Sequence, residues 1–193
     1  MGVYVTVVFV EPLAAGTEFL QSAWPLHVTL VRFDSAVPVQ ELAAVLGAAV
    51  EGREAFTAVV GRDARFGRNG SVPVSLVDPD TGLVDLHEAL LYGLLHELGE
   101  QIRLPGPNHT RANYRPHVTH RERRLHPGDT VRVRQVALVD MFPDRDRRFR
   151  RVLATWTLGG AAAGTPLAEQ EDGQQHGRQG QHGAEEGNVP GQG

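Results

Sequence analysis

Two tetrapeptides, His27-Val28-Thr29-Leu30 and His117-Val118-Thr119-His120, each place an imidazole two residues before a hydroxyl. Both lie in segments that read as strands, where alternate side chains share a face. His27 then sits beside Thr29, and His117 beside Thr119. These residue types suit phosphoryl transfer without a metal, one imidazole taking a proton from the attacking oxygen and the other giving one to the leaving oxygen. The threonine hydroxyls can hydrogen-bond the phosphate oxygens between them. An unperturbed imidazole titrates near 6.5, so one copy can be neutral and the other charged around neutral pH. The residues alone leave open which ring is the acid and which the base.

The copies are separated by 117 − 27 = 90 residues, and each follows a proline, Trp24-Pro25-Leu26-His27 and Arg115-Pro116-His117. With these paired motifs, their spacing and the order of elements around them, residues 1–158 resemble the two-histidine (2H) phosphoesterase superfamily. The branch most like it is the 2′-5′ RNA ligase or RNA 2′,3′-cyclic phosphodiesterase one. The resemblance implies an α+β fold of two pseudo-symmetric αβ lobes, with antiparallel sheets around a central cleft across which the motif strands face each other. It implies that His27 donates a proton to the leaving ribose oxygen, that His117 activates water, and that Thr29 and Thr119 hold the phosphate. It also implies a cyclic phosphodiesterase that opens 2′,3′-cyclic phosphates of RNA or nucleotides to 2′-phosphates, together with a reversible 2′-5′ RNA ligase activity. Two other readings stay open: the same site acting on another phosphodiester, such as a signalling oligonucleotide or a nucleotide-sugar cyclic phosphate, and an RNA-binding module that turns nothing over.

Arginine matches phosphate bidentately, which makes Arg115, Arg121 and Arg32 candidates for charge neutralisation around the motifs. Arg121 shares strand parity with His117 and Thr119. Tyr114 and Trp24 precede their motifs and suit either stacking on a base or core packing. His120 replaces the small or aliphatic residue common at the fourth motif position. On a regular strand it points away from His117, so a zinc clamp between the two is geometrically poor. His87, His96 and His109 lack partner spacing and read as ordinary helix and loop residues.

Composition removes several chemistries. The chain has no cysteine, so disulfides, thiolate zinc sites and thiol nucleophiles are excluded, which fits a cytoplasmic setting. All 19 basic residues are arginine, so no lysine is available for a Schiff base or a P-loop. Arginine richness alongside abundant alanine and glycine also looks like GC-rich coding, so the count alone carries no function. Residues 103–151 nevertheless hold thirteen arginines against five acids, a local excess that fits a polyanionic substrate. No cofactor and no metal are expected, and no membrane segment: Met1-Gly2 with Thr6 matches a myristoylation pattern, but a second anchor is missing. A monomer is the default expectation for the oligomeric state.

The elements that must position the motifs follow from periodicity. Strands are expected at 3–10, 26–33, 56–66, 72–77, 131–141 and 149–158, with a short one from 118. Residues 38–50 form a helix with Pro38 in its first turn and Gly52 after its end, and 83–98 form a longer helix whose Leu86, Leu90, Leu94 and Leu98 stack at four-residue steps. A short helix is expected at 18–23. Residues 159–193 are rich in Gly, Gln and Glu and too poor in apolar side chains to offset ordering entropy, so this tail is expected to be disordered, with His176 and His182 solvated in it.

Overall fold

The computed structural model describes residues 1–78, 81–106 and 113–159. The expected tail, with His176 and His182, lies outside the described residues apart from Gly159, and so does His109. The strands are β1 (Gly2–Phe9), β2 (Glu18–Leu20) and β3 (His27–Ser35), then helix α1 (Val39–Val50). Next come β4 (Phe56–Phe66), β5 (Val72–Val77), helix α2 (Thr81–Leu98) and β6 (Ile102–Arg103). The described residues finish with β7 (His117–Thr119), β8 (Thr130–Val133), β9 (Gln135–Asp140) and β10 (Phe149–Thr157). The fold is α+β: an antiparallel sheet in the order β2-β10-β9-β1-β3-β7-β5-β4-β8, with β6 added to β3.

Helix α2 buries Leu83, Leu86, Leu90, Leu94 and Leu98, and α1 buries Leu42, Leu46 and Val50, against one face of the sheet. Gly47 of α1 abuts the Trp156 indole so closely that a Cβ there would lie 2.8 Å from Nε1. A smaller cluster, Val5, Val7, Phe9, Ala137, Val139 and Val152, occupies the other face and is covered by Leu13, Phe19, Trp24 and Met141. Among the described residues no helix is long and apolar enough to cross a membrane.

Two expected elements differ. Residues 18–23 form strand β2 followed by one 3₁₀ turn, because Glu18 to Leu20 pair with Arg151 to Phe149 at the sheet edge. Residues 131–141 break at Arg134 into β8, which pairs with β4, and β9, which lies between β1 and β10. The core parity changes at the break, from Val131 and Val133 to Val136 and Leu138. One continuous run therefore crosses from one half of the sheet to the other.

The motif strands do not face each other across a gap between two sheets. They are neighbours in the middle of the sheet, joined where Val28 pairs with Val118 in antiparallel sense.

Candidate active site

An antiparallel pair centred on Val28 and Val118 dictates where the motif side chains go. Both valines are fully buried beneath the helices. The flanking residues therefore project from the opposite face, with His27 across from Thr119 and Thr29 across from His117. The four side chains make a rectangle, histidines on one diagonal and threonines on the other. Diagonal neighbours on such a pair are about 7–8 Å apart. A local twofold axis through the valine pair exchanges the two motifs.

Each imidazole is pinned in the same way. Nδ1 of His27 lies 2.7 Å from the Pro25 carbonyl, and Nδ1 of His117 lies 2.8 Å from the Arg115 carbonyl. A carbonyl only accepts, so Nδ1 carries the proton in both rings and Nε2 is the atom whose protonation changes. The carbonyl belongs to the second residue before the histidine in each case, Pro25 in one copy and Arg115 in the other, so the two backbones present the rings alike although the residues there differ.

The surroundings of the rings differ. His27 stacks on Trp24 at 4.7 Å and meets the edge of Phe9 at 6.1 Å. Trp24 is in turn held by Phe19 and by the guanidinium of the buried Arg150, 5.2 Å from its ring. Burial, with added repulsion from Arg121 and His117, lowers the pKa of His27 to about 4, although the Pro25 carbonyl acts the other way. His117 meets Phe66 edge-on at 4.7 Å, and Arg115 lies over the same Phe66 ring at 5.0 Å. Phe66 has no mark in the sequence: its role depends on the β4–β5 register that carries the end of β4 beside β7.

Arg121 continues past Thr119 and, with Trp24 and Leu26, lines a groove next to His27. Arg32 reaches the motif face through a β-bulge. Phe9, Val7 and Val5 of the second core cluster pair with His27, Thr29 and Arg32, while the register slips by one residue between Thr29 and Val31. Strict alternation would have sent Arg32 to the helix side; the slip returns it to the face of His27 and Thr29.

The bulge leaves backbone groups off the ladder, and side chains satisfy them. The Thr6 hydroxyl accepts from the Val31 N–H at 3.0 Å and donates to its carbonyl at 3.3 Å. His87 Nδ1 donates to the Leu30 carbonyl at 2.8 Å, and the Tyr114 hydroxyl donates to the Thr29 carbonyl at 3.1 Å. The rings of His87 and Tyr114 stack at 4.0 Å and 3°. His87 is thus no ordinary helix residue, and one face of Tyr114 is taken by it, so this tyrosine is a prop under the motif strand and not an open platform for a base. Burial raises the Tyr114 pKa and keeps the hydroxyl protonated as a donor. Tyr114→Phe should lower stability by about 1 kcal/mol through the unpaired Thr29 carbonyl, read by denaturant unfolding.

His120 points to the far side of the sheet, where Nε2 is 2.8 Å from the buried Ser75 hydroxyl and 3.6 Å from Asp63. The same nitrogen meets both groups and Ser75 donates to the Leu125 carbonyl, so this trio is a packing network and not a nucleophile with its relay. Among the described residues no group of three or more His, Asp or Glu side chains could hold a metal ion.

The sequence pattern of the 2′-5′ RNA ligase superfamily matches residues 9–135, a span that contains both tetrapeptides. The chain belongs to this superfamily. Solved structures agree at the level of the fold. A crystallised phosphoesterase aligns with a TM-score of 0.56 at 18% identity, covering 82% of this chain and 99% of its own. LigT of E. coli, crystallised with 3′-AMP, gives 0.54 at 18% identity over 82% and 98%. TT0787 of Thermus thermophilus gives 0.54 at 22% identity over 82% and 98%. Among curated protein sequences, none matches. The 2H architecture, an antiparallel sheet with two helices, is shared by this superfamily member.

Proposed function

We propose that this protein opens 2′,3′-cyclic phosphates of RNA or nucleotides to 2′-phosphates without a metal, and that 2′-5′ ligation is the same ring opening with an RNA 5′-hydroxyl attacking in place of water, a step that can run back to the cyclic phosphate. The observation that supports this most is the Val28–Val118 pair, with both imidazoles pinned at Nδ1 around it. In-line displacement at phosphorus needs attacking and leaving oxygens on opposite sides. The histidine diagonal supplies one Nε2 to each side, and the threonine diagonal supplies hydroxyls to the non-bridging oxygens.

In the forward direction water loses a proton to the base Nε2 as its oxygen bonds to phosphorus. The bond from phosphorus to the ribose 3′-oxygen breaks, and that oxygen takes the proton of the acid Nε2. One imidazole ends charged and the other neutral, and exchange with solvent resets them. Family likeness makes His27 the acid and His117 the base. Arg121 beside His27 and Arg32 beyond Thr29 offset charge on the phosphate. The 3′-AMP bound to the E. coli relative fits a nucleotide-sized ligand.

The test is to incubate the protein with nucleoside 2′,3′-cyclic phosphates and resolve 2′- from 3′-phosphate products. Turnover to the 2′-phosphate should persist in excess chelator. Absence of turnover, or its full loss with chelator, rejects the proposal.

A further inference from the structure

Given the phosphodiester chemistry proposed above, we infer that the preferred substrate is a polynucleotide end and not a free nucleotide, and that Arg32 and Arg103 form a track for a second phosphate. Three cross-strand pairs place these arginines. Val7 pairs with Thr29, Val5 with Arg32, and Val3 with Asp34, which in turn pairs with Arg103 of β6. Their neighbours Ser35 and Ile102 are buried on the helix side, so Asp34 and Arg103 share the face that carries Thr29 and Arg32.

Strand geometry sets the distances. From Thr29 to the Arg32 row is two ladder steps, about 7 Å, and from Thr29 to the Arg103 row is four, about 14 Å. Arg32 is thus close to the reacting phosphorus, whereas Arg103 is a full row too far to share it. A mononucleoside cyclic phosphate offers one phosphate, seated between the histidines. A polynucleotide offers the next one along its backbone, and Arg103 with Arg32 is where a second negative charge gains most.

Both arginines are exposed and neither takes part in an ion pair among the described residues, unlike Arg123, Arg124, Arg148 and Arg151, which bind Glu11, Asp63, Asp146 and Glu18. Asp34 lies on the same face and tempers the local charge, but its carboxylate is in no ion pair with either guanidinium. Two unengaged, diagonally placed guanidinium groups next to a phosphoryl-transfer site are complementary to a polyanion that continues past the reacting group.

The deciding measurement is kcat/KM for a hexaribonucleotide ending in a 2′,3′-cyclic phosphate against that for the mononucleoside 2′,3′-cyclic phosphate, across a salt series. The hexamer should be favoured about tenfold at low salt, and Arg103→Gln should cut that preference about fivefold. The same variant should flatten the salt dependence for the hexamer by about 0.7 in log–log slope, the counterion release of one single-strand phosphate contact. Arg132→Gln, an equal charge change on β8 at the far end of the sheet, should leave the preference intact. Equal rates for the two substrates, or an Arg103→Gln effect that falls on both alike, overturns the track while leaving the phosphodiesterase reading standing. If the wild type opens neither substrate, that reading fails by itself, and the track is then judged by fluorescence anisotropy of the labelled hexamer. Weaker, less salt-dependent binding by Arg103→Gln supports it, and unchanged binding overturns it.

Discussion

His27→Ala and His117→Ala should each reduce kcat/KM for 2′,3′-cyclic phosphate opening by about 10²–10⁴-fold, the range for loss of one positioned general acid or base. The double variant should lose little more than the worse single one. Both protons move in a single displacement, so once either partner is gone the other has no coupled step to assist, and residues that act as a unit are far from additive. The threonines would still hold phosphate in all three variants, so KM should change less than kcat. His117→Ala is the cleaner of the two, because His27 also packs on Trp24 and Phe9 and its removal disturbs that stack. Thermal unfolding of each variant checks that the fold survives. Either single variant retaining activity within tenfold of wild type, with the fold intact, would rule out a shared acid and base.

The parts of this protein that were legible in advance are those where local chemistry and tertiary need coincide. The leucine ladder of α2 and the Pro38 and Gly52 boundaries of α1 follow from helical period and backbone preference, and the helices lie where those signals put them. The motif residues were visible because their types repeat. Their adjacency was not, since nothing in either tetrapeptide states that Val28 will bond to Val118 instead of facing it across a gap. Register is a property of the assembled sheet, and single-residue slips invert every later side chain. That is why Arg32 needed the bulge to reach the motif face, and why Phe66, His87 and Arg103 carried no sequence signal. The break at Arg134 did leave a trace, the change of apolar parity between Val133 and Val136, which a period count over the whole run averages away.

The second large effect concerns the ring that family likeness makes the acid. An acid must carry its proton, yet burial together with Arg121 and His117 holds the free His27 at about 4, so at neutral pH it is unprotonated. Substrate supplies what is missing. A single negative charge about 4 Å away contributes about 4 kcal/mol at an effective dielectric near 20, or about 3 pKa units, enough to lift His27 from about 4 to near 7. NMR titration of the His27 ring should therefore show a midpoint at about 4 in the free protein and near 7 with inorganic phosphate bound. Around pH 5.5, phosphate binding should take up about one proton, visible as a buffer-dependent binding enthalpy. Arg121→Gln should raise the free midpoint toward 6.5 by removing one source of repulsion. Folding carries the matching sign: a histidine whose native pKa is depressed adds stability that is complete above pH 6.5 and lost as pH falls through about 4. The loss should be roughly 3 kcal/mol at 1.36 kcal/mol per unit, and a His27→Leu variant should lack it. A free midpoint near 6.5, or one that phosphate does not move, would mean that substrate charge does not arm this ring, and the acid would have to be sought at His117.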